Sequence, residues 1–130
     1  MKNLSTLIAS NNFKVLNVSG GVGNGKLFSI RETIKEMGYQ DVTFRMNMMD
    51  VSDVVNGFKI NKLVDEKIVI ILDDLDRAQT AVFNKTIEGI VYGKLFDLEL
   101  TKDVVVIATS VDKIDFQDSS IENRTMFLEF

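Results

Sequence analysis

The sequence predicts a single α/β domain over residues 1–130, a three-layer α/β/α sandwich on a mainly parallel five-stranded sheet. Three observations predict it. The runs "IVIIL" (68–72) and "VVVIA" (104–108) are continuous and rich in β-branched residues, as expected of strands covered on both faces. Strand-like and helix-like segments alternate along the chain, which is what crossovers between parallel strands require. With 130 residues of which 45% are hydrophobic, the chain can fill one core, and no repeat, low-complexity tract or Gly/Ser linker divides it.

Proline is absent, so glycine and Asn/Asp clusters punctuate the elements. "LSTLIAS" (4–10) reads as a short helix and "FKVLNVS" (13–19) as a buried strand that runs into a glycine turn. "KLFSIRETIKEMG" (26–38) carries Leu27, Ile30, Ile34 and Met37 at three-to-four spacing and stops at Gly38, the pattern of an amphipathic helix with a glycine cap. "DVTFRMN" (41–47) alternates as a strand, and "KIVIILDD" (67–74) is a central strand ending in two carboxylates. A helix is expected over 78–91, a small hairpin over 92–100, a second core strand over 103–110 and a last strand over 125–130.

Composition excludes several chemistries. Without cysteine or histidine there are no disulfides, thiolate metal sites, cysteine nucleophiles or imidazole proton carriers, so any reaction runs on carboxylates, lysine, arginine, hydroxyls and backbone. Lys and Arg total 15 against 19 acids and are scattered, which argues against nucleic-acid binding. The apolar runs are far shorter than the roughly 20 residues that span a bilayer. The start, "MKNLSTLIAS", is too weakly apolar for a secretory signal, so a cytoplasmic location is expected.

Two constellations could carry chemistry. Gly20, Gly25 and Lys26 satisfy G-x-x-x-x-G-K between a strand and a helix. Gly20, Gly21, Val22, Gly23, Asn24 and Gly25 would then present backbone N–H groups to phosphate, the helix N-terminus would add its positive end, and Lys26 would reach the terminal phosphates. The next position normally supplies a Ser/Thr hydroxyl to Mg²⁺; here it is Leu27, so phosphate binding should survive better than metal-assisted hydrolysis. The second constellation is "IVIILDDLDRA" (68–78), where Asp73 would hold the metal through water and Asp74 would orient or activate the attacking water. A Gly-rich turn without a ligand and acids that merely cap the next helix are the plain alternatives.

In order and spacing these stretches resemble the AAA+ ATPases, specifically the MoxR-like branch, over nearly the whole chain. "GGVGNGK" resembles the Walker A loop, "EMGYQDVTFRMNMMDVSDVVNG" (36–57) that branch's second-strand region, and "ILDDLDRAQTAVFNKTIEGIVYGKL" the Walker B strand with the helix and hairpin after it. "VVVIATSVDK" resembles the sensor-1 strand and "SIENRTMFLEF" the closing segment. The resemblance implies ATP and Mg²⁺ as ligands, Lys26 on phosphate, Asp73 on magnesium, Asp74 at the catalytic acid and Arg124 as an arginine finger reaching a neighbouring subunit. The sensor asparagine is missing, leaving Thr109 or Ser110 in its place, and the chain stops at Phe130 without the family's helical lid. Two functions are therefore expected to compete. One is a weak or conditional ATPase in a homo-oligomer or in a hetero-assembly with another AAA+ protein; the other is a pseudo-ATPase that regulates a partner AAA+ ATPase.

Overall fold

The computed structural model describes residues 2–62, 68–95, 98–99 and 104–130. Helix α1 (Lys2–Ser10) precedes β1 (Val15–Ser19), and a glycine loop leads into α2 (Lys26–Glu36). Then follow β2 (Gln40–Arg45), a 3₁₀ turn over Met46–Met48, α3 (Val51–Lys62) and β3 (Ile68–Asp73). A second 3₁₀ turn, Leu75–Arg77, enters α4 (Thr80–Tyr92). The two-residue strands β4 (Lys94–Leu95) and β5 (Leu98–Glu99) pair antiparallel, and the chain closes with β6 (Val105–Ser110), α5 (Ser119–Glu122) and β7 (Thr125–Glu129).

The five long strands form one sheet in the order β2-β3-β6-β1-β7, and every pairing is parallel, so the expected "mainly parallel" sheet is wholly so. Alternation along the buried strands sorts side chains into two layers. Leu16, Val18, Val69, Ile71, Val105 and Ile107 pack with Leu4, Ile8, Ile30 and Ile34 of α1 and α2. Val15, Ile70, Leu72, Val106 and Ala108 pack on the other face with Val54 and Phe58 of α3 and Val82, Ile87 and Ile90 of α4. That is the three-layer sandwich expected from sequence.

The end of α2 follows from Gly38. The helix needs a left-handed residue to close its last turn, and Gly38 supplies it with φ +79. Its amide reaches Lys35 O at 3.0 Å while Tyr39 N–H reaches back to Ile34 O at 3.1 Å, turning the chain directly into β2.

Several expected boundaries shift. The strand expected over 41–47 ends at Arg45, and Met46–Met48 coil into the 3₁₀ turn. Of the expected hairpin over 92–100, Tyr92 belongs to α4 and Gly93 caps it with φ 78, while residues 96, 97 and 100 lie outside the described residues, as do 67 and 103 at the starts of two expected strands. Helix α3 was not expected at all. Its signal is a reciprocal cap: Asp53 N–H donates to Asp50 Oδ1 at 2.9 Å, and Asp50 N–H donates to Asp53 Oδ2 at 3.0 Å.

The Asp53 amide, then the Ser52 hydroxyl, hold the Asp50 carboxyl below its ordinary value of 3.8. Because the folded value is the lower one, the cap contributes fully above pH 3.8 and is lost as pH falls through that depressed value. A carboxyl-carbon NMR titration should therefore place the Asp50 midpoint below 3.8.

Candidate nucleotide site

Parallel pairing brings the carboxyl ends of the strands to one edge of the molecule. Ser19 lies opposite Ser110, Leu72 opposite Ala108 and Arg45 opposite Asp73, so the glycine loop and the acids at the end of β3 open on the same side, with β6 between their strands. In sheets of this kind that edge is where ligands bind.

The loop is shaped by its glycines. Gly23 and Gly25 both take φ +78, a left-handed conformation that a side chain would strain, and Gly20 accepts close neighbours instead: a Cβ there would stand 3.0 Å from Phe130 Cβ and 3.2 Å from Asn24 Nδ2. Gly20 N–H donates to Ser110 O at 3.0 Å, and Ser29 N–H to Gly25 O at 2.9 Å. Between them, the amides of Gly21, Val22, Gly23, Asn24, Gly25 and Lys26 have no protein acceptor among the described residues. Val22, at the tip, is 76% exposed. The bend is thus open, its donors unengaged by the fold.

Lys26 is the first residue of α2, and its Nζ donates to Gly20 O and Ser110 O, each at 2.7 Å. An ammonium has three N–H donors, so two carbonyls fix its position and one donor is left for a ligand. Leu27, one residue on, is partly buried and packs against the α1/α2 core layer. It offers a metal nothing.

The acids at the end of β3 are held by Thr109. Its hydroxyl, in a residue 0% exposed, donates to Asp73 Oδ1 at 2.6 Å and accepts from Asp74 N–H at 3.0 Å. Asp74 itself sits in the left-handed region at φ 54, which Asp tolerates better than most non-glycine residues but which still costs about 1 kcal/mol or more. Asp76, not singled out from sequence, accepts Val111 N–H at 3.1 Å and ties the two loops together. Ser110 differs from Thr109. It commits its hydroxyl to Asp112 O at 2.6 Å and to Asn17 Nδ2 at 2.9 Å, and meets the site through its carbonyl. No group of three or more His, Cys, Asp or Glu residues among the described residues could hold a metal ion.

Arg124 stands apart from these residues. It precedes β7 at the amino end of the sheet, where its carbonyl accepts Lys14 N–H at 2.8 Å, five strand residues or roughly 16 Å from the loop. Its guanidinium lies 5.7 Å from the centre of the Tyr92 ring, whose hydroxyl is 3.0 Å from Ser120 Oγ. In one copy the two sites cannot meet.

No family model matches the chain, and no curated protein matches it. Solved structures do. The RuvB Holliday junction branch migration motor of Thermotoga maritima superposes with a TM-score of 0.66 at 18% identity, covering 99% of this chain and 43% of that one. Two mutant forms of the same RuvB give TM-scores of 0.69 and 0.70 at 13% and 12% identity, again over 99% of this chain and 42% of theirs. At such identities the likeness shows the fold: a five-stranded parallel sheet with flanking helices, matching a portion of RuvB. The chain spans less than half the length of these RuvB chains. No helix among the described residues is long and apolar enough to cross a membrane.

Proposed function

We propose that the chain is an AAA+-like module that binds the triphosphate of ATP at the loop over Gly20–Lys26. One observation carries the reading: the Lys26 ammonium is pinned by two carbonyls at 2.7 Å with its third donor uncommitted, beside a run of free backbone amides. Charge-assisted bonds from such preset donors are the strong ones, and they cost little reorganisation when the anion arrives. The RuvB fold supports the same assignment, and the order of the motifs favours the MoxR-like branch. Titration with a fluorescent ATP analogue tests it: saturable binding that persists without Mg²⁺ supports the site, and absence of saturation ends the proposal.

Hydrolysis is the second step of the proposal. A magnesium ion would neutralise charge on the phosphates, and this chain offers it Asp73, through water, with no hydroxyl at Leu27. Asp74, its amide fixed by Thr109, would stand toward the attacking water. A weak or conditional ATPase follows. Restoring the hydroxyl with Leu27→Thr is expected to raise Mg²⁺-dependent phosphate release several-fold, on the order of one charge-assisted contact. Phosphate release that stays at background in both forms favours a pseudo-ATPase acting on a partner AAA+ ATPase, for which the packing of the partly buried Leu27 against the core layer is the specific support.

Arg124 completes an active site only in trans, at a neighbour's nucleotide, because its own loop lies at the far end of β1. A homo-oligomer or an assembly with another AAA+ protein is the corresponding proposal, with the cytoplasm as its place and nucleic acid outside its ligands. In sedimentation velocity, ATP should raise the mass of the wild type and leave Arg124→Ala unchanged. A wild type that stays monomeric at all ATP concentrations removes the role for Arg124.

A further inference from the structure

Asn17 is 1% exposed in the middle of β1, among Val15, Leu16 and Val18. A buried amide is tolerated only when its polar atoms are paired, and here all are. Nδ2 donates to Ala108 O at 3.1 Å and to Ser110 Oγ at 2.9 Å, while Oδ1 accepts Ile114 N–H at 2.9 Å. The partners fix the orientation of the amide, since the Ala108 carbonyl only accepts and the Ile114 N–H only donates. A leucine, with the same branch point and number of heavy atoms, would suit an apolar core and make none of these bonds, so what needs explaining is what the bonds hold.

They hold the end of β6. Ser19↔Ser110 is the last register pair between β1 and β6, and beyond Ser110 the chain leaves the sheet. A strand's last residue is where pairing frays, yet this one carries the most demanding acceptor in the site: the Ser110 carbonyl takes both the Gly20 amide at 3.0 Å and the Lys26 ammonium at 2.7 Å. Its side chain is gripped between Asn17 Nδ2 and Asp112 O. Asn17 also fastens the departing segment at Ile114. The same residue is thus clamped on one side by β1 and aims the phosphate lysine on the other.

We infer that Asn17 is a positioning residue for phosphate binding, acting through Ser110 to fix the carbonyl that aims the Lys26 ammonium. The inference rests on the phosphate-site reading above. It is tested on the full chain by calorimetric titration with inorganic tripolyphosphate and with ATP, beside urea unfolding of each variant. Asn17→Leu is expected to weaken both ligands about tenfold, the scale of one misaligned hydrogen bond to a charged group. Ser110→Ala, which removes only the hydroxyl link and settles the matter should Asn17→Leu not fold, is expected to do the same to a smaller extent. If either folded variant shows a lowered urea midpoint with both affinities unchanged, Asn17 serves packing alone and the inference is overturned. Lys26→Ala separates the two levels: wild type that binds no better than Lys26→Ala removes the phosphate site and this inference together, whereas a wild type that binds, a Lys26→Ala that does not and an unaltered Asn17→Leu overturn the inference only.

Discussion

Lys26→Ala is expected to weaken ATP binding about a hundredfold or more, whether or not Mg²⁺ is present. The change deletes the one full positive charge set at the loop and with it a charge-assisted contact to phosphate. It also frees Gly20 O and Ser110 O, which now share that ammonium at 2.7 Å, so part of the preset geometry goes too. The fold should survive, because Lys26 lies at the start of α2 and the core layer beneath it is built by Ile30 and Ile34. Fluorescence titration of both proteins, with circular dichroism as a check on folding, decides it. Equal affinities would remove the phosphate site at this loop. Lys26→Arg should recover only part of the loss, since a planar guanidinium cannot sit between the two carbonyls as a compact ammonium does.

Gly57→Ala is expected to destabilise the fold by about 1–3 kcal/mol, the usual cost of forcing extra carbon into a packed core. A Cβ at Gly57 would fall 2.6 Å from Phe44 Cζ and 2.8 Å from its Cε2. The ring cannot simply swing away: Phe44 is 4% exposed and packs edge-on to Phe58, with centroids 5.2 Å apart. Chemical denaturation measures the loss. Adding Phe44→Leu should return part of it, since the shorter side chain vacates the contested space and the two changes are then coupled rather than additive. A Gly57→Ala protein as stable as wild type would show that α3 can shift on β2 at no cost.

Much of this arrangement was legible in the sequence. Strands announced by continuous β-branched runs, at 68–72 and 104–108, stand in the middle of the sheet, and the glycine turn before Lys26 stands at a strand end with its amides free. Such features depend on local pattern. Helix α3 escaped because its apolar positions, Val51, Val54, Val55 and Phe58, are mixed with β-branched residues, Asn56 and Gly57, which weaken the helical signal. Its Asp50–Asp53 cap was the usable clue. The placement of Ser110 was not legible at all. A serine one residue after Thr109 looks like an equal substitute for the missing asparagine, and only the tertiary contacts of Asn17 and Asp112 distinguish the two hydroxyls. Asn17 carried a faint signal of its own, an amide inside an apolar strand; Asp76, in the run "DDLDR", carried none.

The place of β6 between β1 and β3 has a consequence for how the protein comes into being. Lys26 meets its second carbonyl 84 residues further along the chain, and Asn17 its serine 93 residues further along. Contacts of such long sequence separation pay their loop-closure entropy before they are rewarded, which makes them late and slow to form. While a ribosome is still extending the chain, the glycine loop is covalently complete well before β6 has been made, and so lacks the wall it leans on. Competence to hold a ligand at this loop should therefore arrive abruptly, once the strand ending at Ser110 has been made and slides into the gap.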